Sequence, residues 1–340
     1  MKVSILIPFK QDFEEIDGVV EHLLNTAHSG DLEIIIYNDG SVEGSGKHKI
    51  LELNFPHTRV INASQSFGVG YGFDRLVENC SSDIIVLTAS DVYPREGWYD
   101  KVVDAVNSKP ETLGCAVCIG LNPERMDLDN EKNYKRYGAD LLFTVDNDDL
   151  PKDSGLRDRK GGYTDLFHAK WLPGKQSDES YEIPCILGAF YFTSRQYYAK
   201  LAGWDTVPRN RYIGHRVWSH LEPYISLKSW LVGGGCTLYP DIEAGHVFGR
   251  IDVKNQFSKG ARSAEWMMWN SIFMLETMIL SDFLRNRLYD FMHFELNWGV
   301  ALKMTRDNYS MVERVREQNR LKFVNDHTIF TKKFNYSFEM

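Results

Sequence analysis

Three things are scarce in this 340-residue chain: cysteine, long apolar runs and surplus positive charge. Five Cys is an odd, sparse number with no framework spacing, which excludes a disulfide-built scaffold. The single CxxC, Cys115 and Cys118, lies inside the apolar run GCAVCIGL. That run reads as a buried strand rather than a redox or metal pair, because no second CxxC accompanies it. The apolar start MKVSILIP ends at Pro8 and turns acidic, too short for a signal-peptide core or a membrane span. Trp266 to Leu280 is interrupted by Asn270, Ser271, Glu276 and Thr277, and reads as a buried or amphipathic helix. No membrane span and a cytoplasmic location are therefore expected. Lys+Arg 39 against Asp+Glu 47 gives a net charge of −8, which disfavours a globally basic nucleic-acid binder but leaves a local basic groove open. A P-loop is missing, and SFGVGYG lacks the spacing of a dinucleotide fingerprint. No internal repeat is visible.

What is present is a globular composition, 43% hydrophobic and 25% charged. The length predicts about two domains, or one large α/β domain with an added lobe, and a core that hides roughly three quarters of the unfolded surface. Seventeen Tyr and eight Trp suit flat polar ligands, although such rings are more often core filler. The first 110 residues alternate strand and helix signals. Strands are predicted at Val3–Ile7 (stopped by Pro8), Leu32–Tyr37, Thr58–Ile61 and Asp83–Thr88, with helices at Phe13–Thr26 and Tyr71–Glu78. Continuous apolar strands separated by helices imply a mostly parallel sheet covered on both faces. Ligands bind such sheets beyond the carboxyl ends of the strands, which directs attention to loops 8–12, 38–41 and 89–94. Residues 122–182 are polar and weakly periodic, as expected of surface loops around a few strands. Apolar signals return at Ile183–Thr193 and Trp230–Val232. A helical extension follows, with amphipathic spacing through Trp266, Trp269, Phe273 and Phe283. The expected divisions are 1–110, 111–255 and 256–340.

Two carboxylates stand just past buried strands: Asp39 after EIIIYN and Asp91 after DIIVLTAS. A carboxylate there can accept from a base N–H or hold a divalent cation against a diphosphate. Asp39-Gly40 is equally good turn chemistry in itself.

The order VSILIPFK, IIIYNDGS and SQSFGVGYGFDRLVENCSSDIIVLTASD resembles the nucleotide-binding half of a GT-A (Rossmann-like) glycosyltransferase of family 2. With Gly68 on the family's loop glycine, Asp91 falls on the second Asp of the Asp-x-Asp motif. The first falls on Ala89, a departure that removes one usual ligand. Further along, LGAFYFTSRQYYAKLAGWD, the segment from Trp218 to Gly234, AGHVFGR and ARSAEWMMW resemble segments of polypeptide N-acetylgalactosaminyltransferases. The resemblance implies Asp91 and His246 as ligands of a divalent metal, Mn²⁺ before Mg²⁺. Neutral imidazole is a suitable donor for such an ion. It implies donor contacts from Pro8, Phe9 and Lys10 at the base, and from Asp39, Gly68, Ser90 and Gly188. Arg250, one residue beyond the family's Arg, is the diphosphate candidate. Glu222 takes the place of the general base of inverting members; the bland alternative is a helix-start Glu favoured by the dipole. Asp91 and Glu222 are thus the catalytic candidates. Trp204, Trp218 and His220, with His215 nearby, are acceptor candidates.

The implied function is a metal-dependent transfer of sugar from a nucleotide sugar, UDP-linked first, to an acceptor hydroxyl on a glycan, a peptide Ser/Thr or a hydroxylated DNA base. For a DNA acceptor, residues near Lys152–Lys175 and Arg209–Arg216 would track phosphates; a solvated loop is the plainer reading. The family resemblance favours retention of stereochemistry, whereas a base at Glu222 suits inversion. A bacterial or viral enzyme fits the lack of an anchor. Two rivals stand beside this reading. One is an inactive nucleotide-sugar or glycan-binding protein, suggested by Ala89. The other is a nucleotidyltransferase, which would need a glycine-rich basic loop where FKQDFEE stands.

Overall fold

The computed structural model describes the chain except residues 1, 11–15, 28–29, 43–46, 123–125, 144–166, 207–219, 249–262, 279, 293–296 and 339–340. Its first part holds strands β1 (Val3–Phe9), β2 (Leu32–Asn38), β3 (Thr58–Asn62) and β4 (Ile84–Thr88), with helices α1 (Ile16–Thr26) and α2 (Val69–Asn79). The strands are parallel in the order β3-β2-β1-β4. Their alternation explains the layering. Val3, Ile5, Ile7 and Phe9 of β1 face α1, where Ile16, Val19, Val20 and Leu23 meet them. Leu6 faces the other way, toward Phe73 and Leu76 of α2. Each such fully buried side chain contributes about 1.5–3 kcal/mol.

Pro8 does not stop β1. Pairing with β4 ends at Leu6, so on that side no ladder partner is lost to the missing N–H, while register with β2 continues through Phe9.

The chain continues with β5 (Val92–Pro94), α3 (Trp98–Ser108), β6 (Leu113–Leu121), β7 (Lys135–Arg136), β8 (Ala139–Leu142), β9 (His168–Trp171), β10 (Tyr181–Glu182), β11 (Phe190–Ser194), α4 (Arg195–Leu201), α5 (Leu221–Val232) and β12 (Cys236–Val247). Strand β11 inserts antiparallel between β4 and β6, and β12 lies parallel to β6 on its other side. One mixed ten-stranded sheet therefore joins both halves, with β8 and β9 forming a separate ribbon. All nine residues of β6 are buried, as the apolar run predicts. Cys115 and Cys118, three apart on a strand, point to opposite faces and are free. Burial pushes the Cys115 thiol up to about 12, which makes a thiolate at neutral pH unfavourable.

The expected apolar stretch Trp230–Val232 is the last turn of α5, a helix buried along its whole length except at Glu222. The extension forms α6 (Ser263–Thr277), α7 (Asp282–Met292), α8 (Trp298–Asp307), α9 (Tyr309–Lys322) and α10 (Thr328–Phe334). Trp269 and Phe273 are fully buried and Phe273 stacks on Tyr224 of α5 at 5.9 Å. Phe283 departs from the amphipathic reading: it is 64% exposed. Among the described residues no helix is long and apolar enough to cross a membrane.

Candidate active site

From β1 the chain steps to β2 on one side and later crosses to β4 on the other. The crevice at the carboxyl ends of β1 and β4 is therefore the switch point at which open α/β sheets take ligands. Asp91 stands there, in the tight connection between β4 and β5. Strand β5 pairs antiparallel with the end of β12, setting Val92 against His246, while Val247 N–H donates to the Asp91 carbonyl at 3.2 Å. This pairing carries His246 across the sheet: its Nε2 lies 3.4 Å from Asp91 Oδ1. Both side chains are partly open, at 29% for Asp91 and 18% for His246.

The pair fits a divalent ion. Two donors at about 2.1 Å from an ion lie about 3 Å apart when at right angles, close to the separation present. One oxygen and one imidazole nitrogen suit Mn²⁺-like ions. No group of three or more His, Cys, Asp or Glu gathers around an ion-sized site among the described residues, so any remaining ligands would come from substrate and water. Ala89, half-buried against the α1-side core, offers no donor. The other ring nitrogen of His246, Nδ1, is buried without a hydrogen-bond partner. The ring is held instead by Phe248, whose centroid is 4.1 Å away.

Glu222 opens α5 and reaches the same region. Tyr191 of β11 donates its hydroxyl to Glu222 Oε1 at 3.0 Å, and the Ala189 N–H donates to that hydroxyl at 2.8 Å. Burial pushes the Glu222 carboxyl above its ordinary range. Hydrogen bonds from its own backbone N–H and from Tyr191 partly oppose the shift. Gly188 lies alongside, at φ +122°. A Cβ there would come 2.6 Å from Cys118 Cβ, so only glycine lets this loop lie on β6. His220 precedes α5 in a left-handed conformation, with Nε2 3.5 Å from Ser271 Oγ.

On the donor side Asp39 is 5% exposed and its carboxylate is fully engaged. Oδ1 accepts from the Phe67 N–H at 2.6 Å; Oδ2 accepts from Ser66 Oγ at 2.6 Å and the Gly68 N–H at 3.0 Å. Lys10 Nζ donates to the same Ser66 hydroxyl at 2.9 Å. The two expected donor residues Asp39 and Gly68 thus meet as clamp and clamped loop. Ser90 is buried between β4 and Asp91.

Two aromatic expectations are corrected. Phe9 is 1% exposed and packs in the α1-side core, because it shares strand parity with Val3, Ile5 and Ile7; it has no face for a base. Trp204 is 1% exposed, stacks on Phe73 at 5.0 Å and donates Nε1–H to the Leu221 carbonyl at 3.0 Å. It is a core residue with no surface left for an acceptor. Pro8 is half-buried and faces α2, where a Cβ on Gly72 would come 3.1 Å from its ring. Trp218, Arg250, His215, residues 209–216 and most of 152–175 lie outside the described residues.

Sequence reasoning missed Tyr191, which nothing in LGAFYF distinguishes from a core ring. It also missed the group Tyr134, Arg136, Trp171 and Phe248, scattered over 115 positions of chain. Asp74 is a third omission: half-buried in α2, it accepts from the Tyr198 hydroxyl and the Trp204 and Thr206 N–H groups, and desolvation of its carboxyl pushes it up to about 6. It ties down residues 204–206, just after α4.

Known proteins share the sequence and fold of parts of this chain. Residues 4–159 match the family described as Glycosyl transferase family 2. Polypeptide N-acetylgalactosaminyltransferase 5 of Rattus norvegicus is 21% identical over 234 residues, 67% of this chain and 22% of that protein. Probable N-acetylgalactosaminyltransferase 8 of Caenorhabditis elegans is 22% identical over 247 residues, 68% of this chain and 50% of that protein. The chain thus spans from about a fifth to half the length of these relatives. The crystal structure of GalNAc-T7 with UDP, GalNAc and Mn²⁺ superimposes with a TM-score of 0.66 at 13% identity, covering 98% of this chain and 57% of that one. Residues 4–159 thus resemble that glycosyltransferase family, and the fold is shared with GalNAc-T7.

Proposed function

We propose that this chain transfers a sugar from a nucleotide sugar, UDP-linked by preference, to an acceptor hydroxyl, and that it depends on a divalent metal. The observation that carries the proposal is the Asp91–His246 pair, 3.4 Å apart at the switch point of the sheet. These two side chains would hold the ion, Mn²⁺ before Mg²⁺ because one donor is an imidazole nitrogen. When bound, such an ion neutralises the diphosphate as the glycosidic bond breaks. The neighbour GalNAc-T7, solved with UDP and Mn²⁺, supports this reading.

The chain's own residues supply the rest. Asp39 fixes the Ser66–Gly68 loop beside the ends of β1 and β2, where the nucleoside would lie, and Lys10 adds a cation there. Gly188 lets backbone approach the sugar without a side chain between them. Glu222, held by Tyr191 and raised in pKa by burial, is suited to take a proton from an acceptor hydroxyl directly or through one water. That role belongs to an inverting reaction. In a retaining one, Glu222 would instead orient the sugar.

Calorimetry of UDP with and without Mn²⁺, followed by turnover of UDP-sugars, tests the proposal. UDP binding should tighten with Mn²⁺, and Asp91→Ala should abolish that gain while leaving the melting temperature in place, because Asp91 lies outside the core. Equal UDP affinity with and without metal in the wild-type protein would overturn metal dependence. Metal-assisted binding with no turnover of any UDP-sugar would favour the inactive binding protein that Ala89 suggests.

A further inference from the structure

We propose that Arg136, with the rings of Tyr134, Trp171 and Phe248, forms an acceptor subsite for a group that carries a flat apolar face and an oxyanion, a phosphate ester first. The inference rests on the glycosyltransferase reading above and names the chemistry of its acceptor.

Three separate segments converge to build the site. Arg136 lies on β7, paired with Cys118 of β6. Its guanidinium carbon stands 5.0 Å from the Tyr134 ring centroid and 5.8 Å from that of Trp171, at the end of β9. Phe248, just past β12, closes the group: its centroid is 6.1 Å from Tyr134 and 6.4 Å from Trp171. The same Phe248 ring lies on His246. Gly120 makes the approach possible. It pairs in register with His246, and a Cβ on it would fall 2.2 Å from the Tyr134 ring, so the ring rests on bare backbone beside the metal pair.

The charge of Arg136 is what lacks an explanation inside the protein. Its neighbour Lys135 pairs with Glu243, and Arg95 pairs with both Glu243 and Asp129. Arg136 has no carboxylate within ion-pair distance among the described residues, and its Nε is buried without a hydrogen-bond partner. A guanidinium stays charged at any working pH, and a desolvated N–H left unpaired costs about 1–3 kcal/mol. Cation–π contact offsets only part of this, about 0.5–2 kcal/mol per ring. A planar fork held between aromatic rings, with donors unspent, is suited to phosphate or carboxylate oxygens. The half-exposed rings, Tyr134 at 46%, supply stacking area for the part of the ligand next to the anion.

Local pairing sets this group across His246 from Asp91. Locally the sheet runs β5-β12-β6-β7, so Asp91 flanks His246 on one side, while Arg136 lies across β6 on the other. The nucleotide half reaches Asp91 directly through β4, which ends three residues before it. An anion on Arg136 is therefore held on the side of His246 away from Asp91.

The test titrates phenyl phosphate, and separately phenol, into the full chain saturated with UDP and Mn²⁺. Phenyl phosphate should bind the ternary complex at least tenfold more tightly than phenol. Arg136→Gln should lose about tenfold of that affinity, roughly 1.4 kcal/mol, with its own UDP affinity unchanged within twofold, which also shows that the variant folds. Displacement of UDP by phenyl phosphate would overturn the proposal by assigning Arg136 to the donor diphosphate. So would an Arg136→Gln variant that binds phenyl phosphate like wild type. A wild-type protein that binds no UDP would sink the glycosyltransferase reading instead; phenyl phosphate titrated alone into the wild type and Arg136→Gln then still decides the role of Arg136.

Discussion

Replacing Asp39 by Ala removes the acceptor that gathers three donors of the glycine-rich loop. The carboxylate is 5% exposed and takes the Phe67 and Gly68 N–H groups and the Ser66 hydroxyl at 2.6–3.0 Å. A hydrogen bond to a charged group contributes about 1.5–3 kcal/mol. Ser66 is exposed, so its hydroxyl turns to water at little cost. The two half-buried N–H groups carry the loss, about 2–4 kcal/mol in all once their partial access to water is allowed for. For a chain of this size that lowers the melting temperature by about 3–6 °C. Gly40 sharpens the effect: at φ +62° it lies so close to Gln65 that a Cβ would sit 2.3 Å from backbone, so turn and loop are packed as one unit.

The assay is urea unfolding together with amide hydrogen exchange at Phe67 and Gly68. Both amides should lose protection in Asp39→Ala, and UDP affinity should fall with or without Mn²⁺. Asp39→Asn separates clamp from base contact. Its amide oxygen still accepts from one or two donors, so it should recover roughly half of the stability. If Asp39→Ala left the unfolding midpoint and both amides unchanged, the clamp would be refuted. If Asp39→Asn were as stable as wild type yet bound no UDP, direct recognition of the base would be the better account.

Two further outcomes are expected. Lys228, fully buried, pairs with Asp205 and also donates to the Gly203 carbonyl at 3.2 Å; Lys228→Met leaves a buried carboxylate served by Tyr224 and should cost about 3–5 kcal/mol in urea unfolding, while Lys228→Met with Asp205→Asn recovers most of it. An undisturbed midpoint in the single variant would count against the pair. Tyr191→Phe removes a hydrogen bond that favours ionised Glu222, so a carboxyl already raised by burial moves higher; if ionised Glu222 is the working form, the acidic limb of the pH–rate profile shifts up by about one pH unit. A limb that stays in place would remove Glu222 from the proton-transfer role.

Much of the nucleotide half was legible because its strands are buried on both faces. A continuous run such as LEIIIYN has few other places to go, and Asp39 and Asp91 follow such runs directly. Register was less legible. The sequence alone does not reveal that β5, three residues long, would pair with β12 and so bring His246 to Asp91; that placement came from resemblance. Phe9 was misjudged although its parity was readable: it is the fourth apolar residue on one face of β1, and such a residue belongs to the core. Trp204 was misjudged for a different reason, since only the tertiary contact with Phe73 decides where it lies.

Arg136 shows why the rest was hidden. In sequence it is one cation in a polar stretch, NYKRYGAD, with nothing to distinguish it from Lys132 or Lys135. Its neighbours take their meaning from pairing: β7 on β6, β6 on β12, and β12 on β5. That order sets Asp91, His246 and Arg136 in a line across the sheet, with Glu222 reaching in from α5 through Tyr191. Asp91 follows β4 directly, and the aromatic group around Arg136 begins on the other side of His246. A charged group placed beyond the Asp91–His246 pair, with no carboxylate of its own among the described residues, is what the proposed second ligand would account for. A solvated arginine would keep Nε in water, and a structural one would have found Glu243, as Arg95 and Lys135 both did.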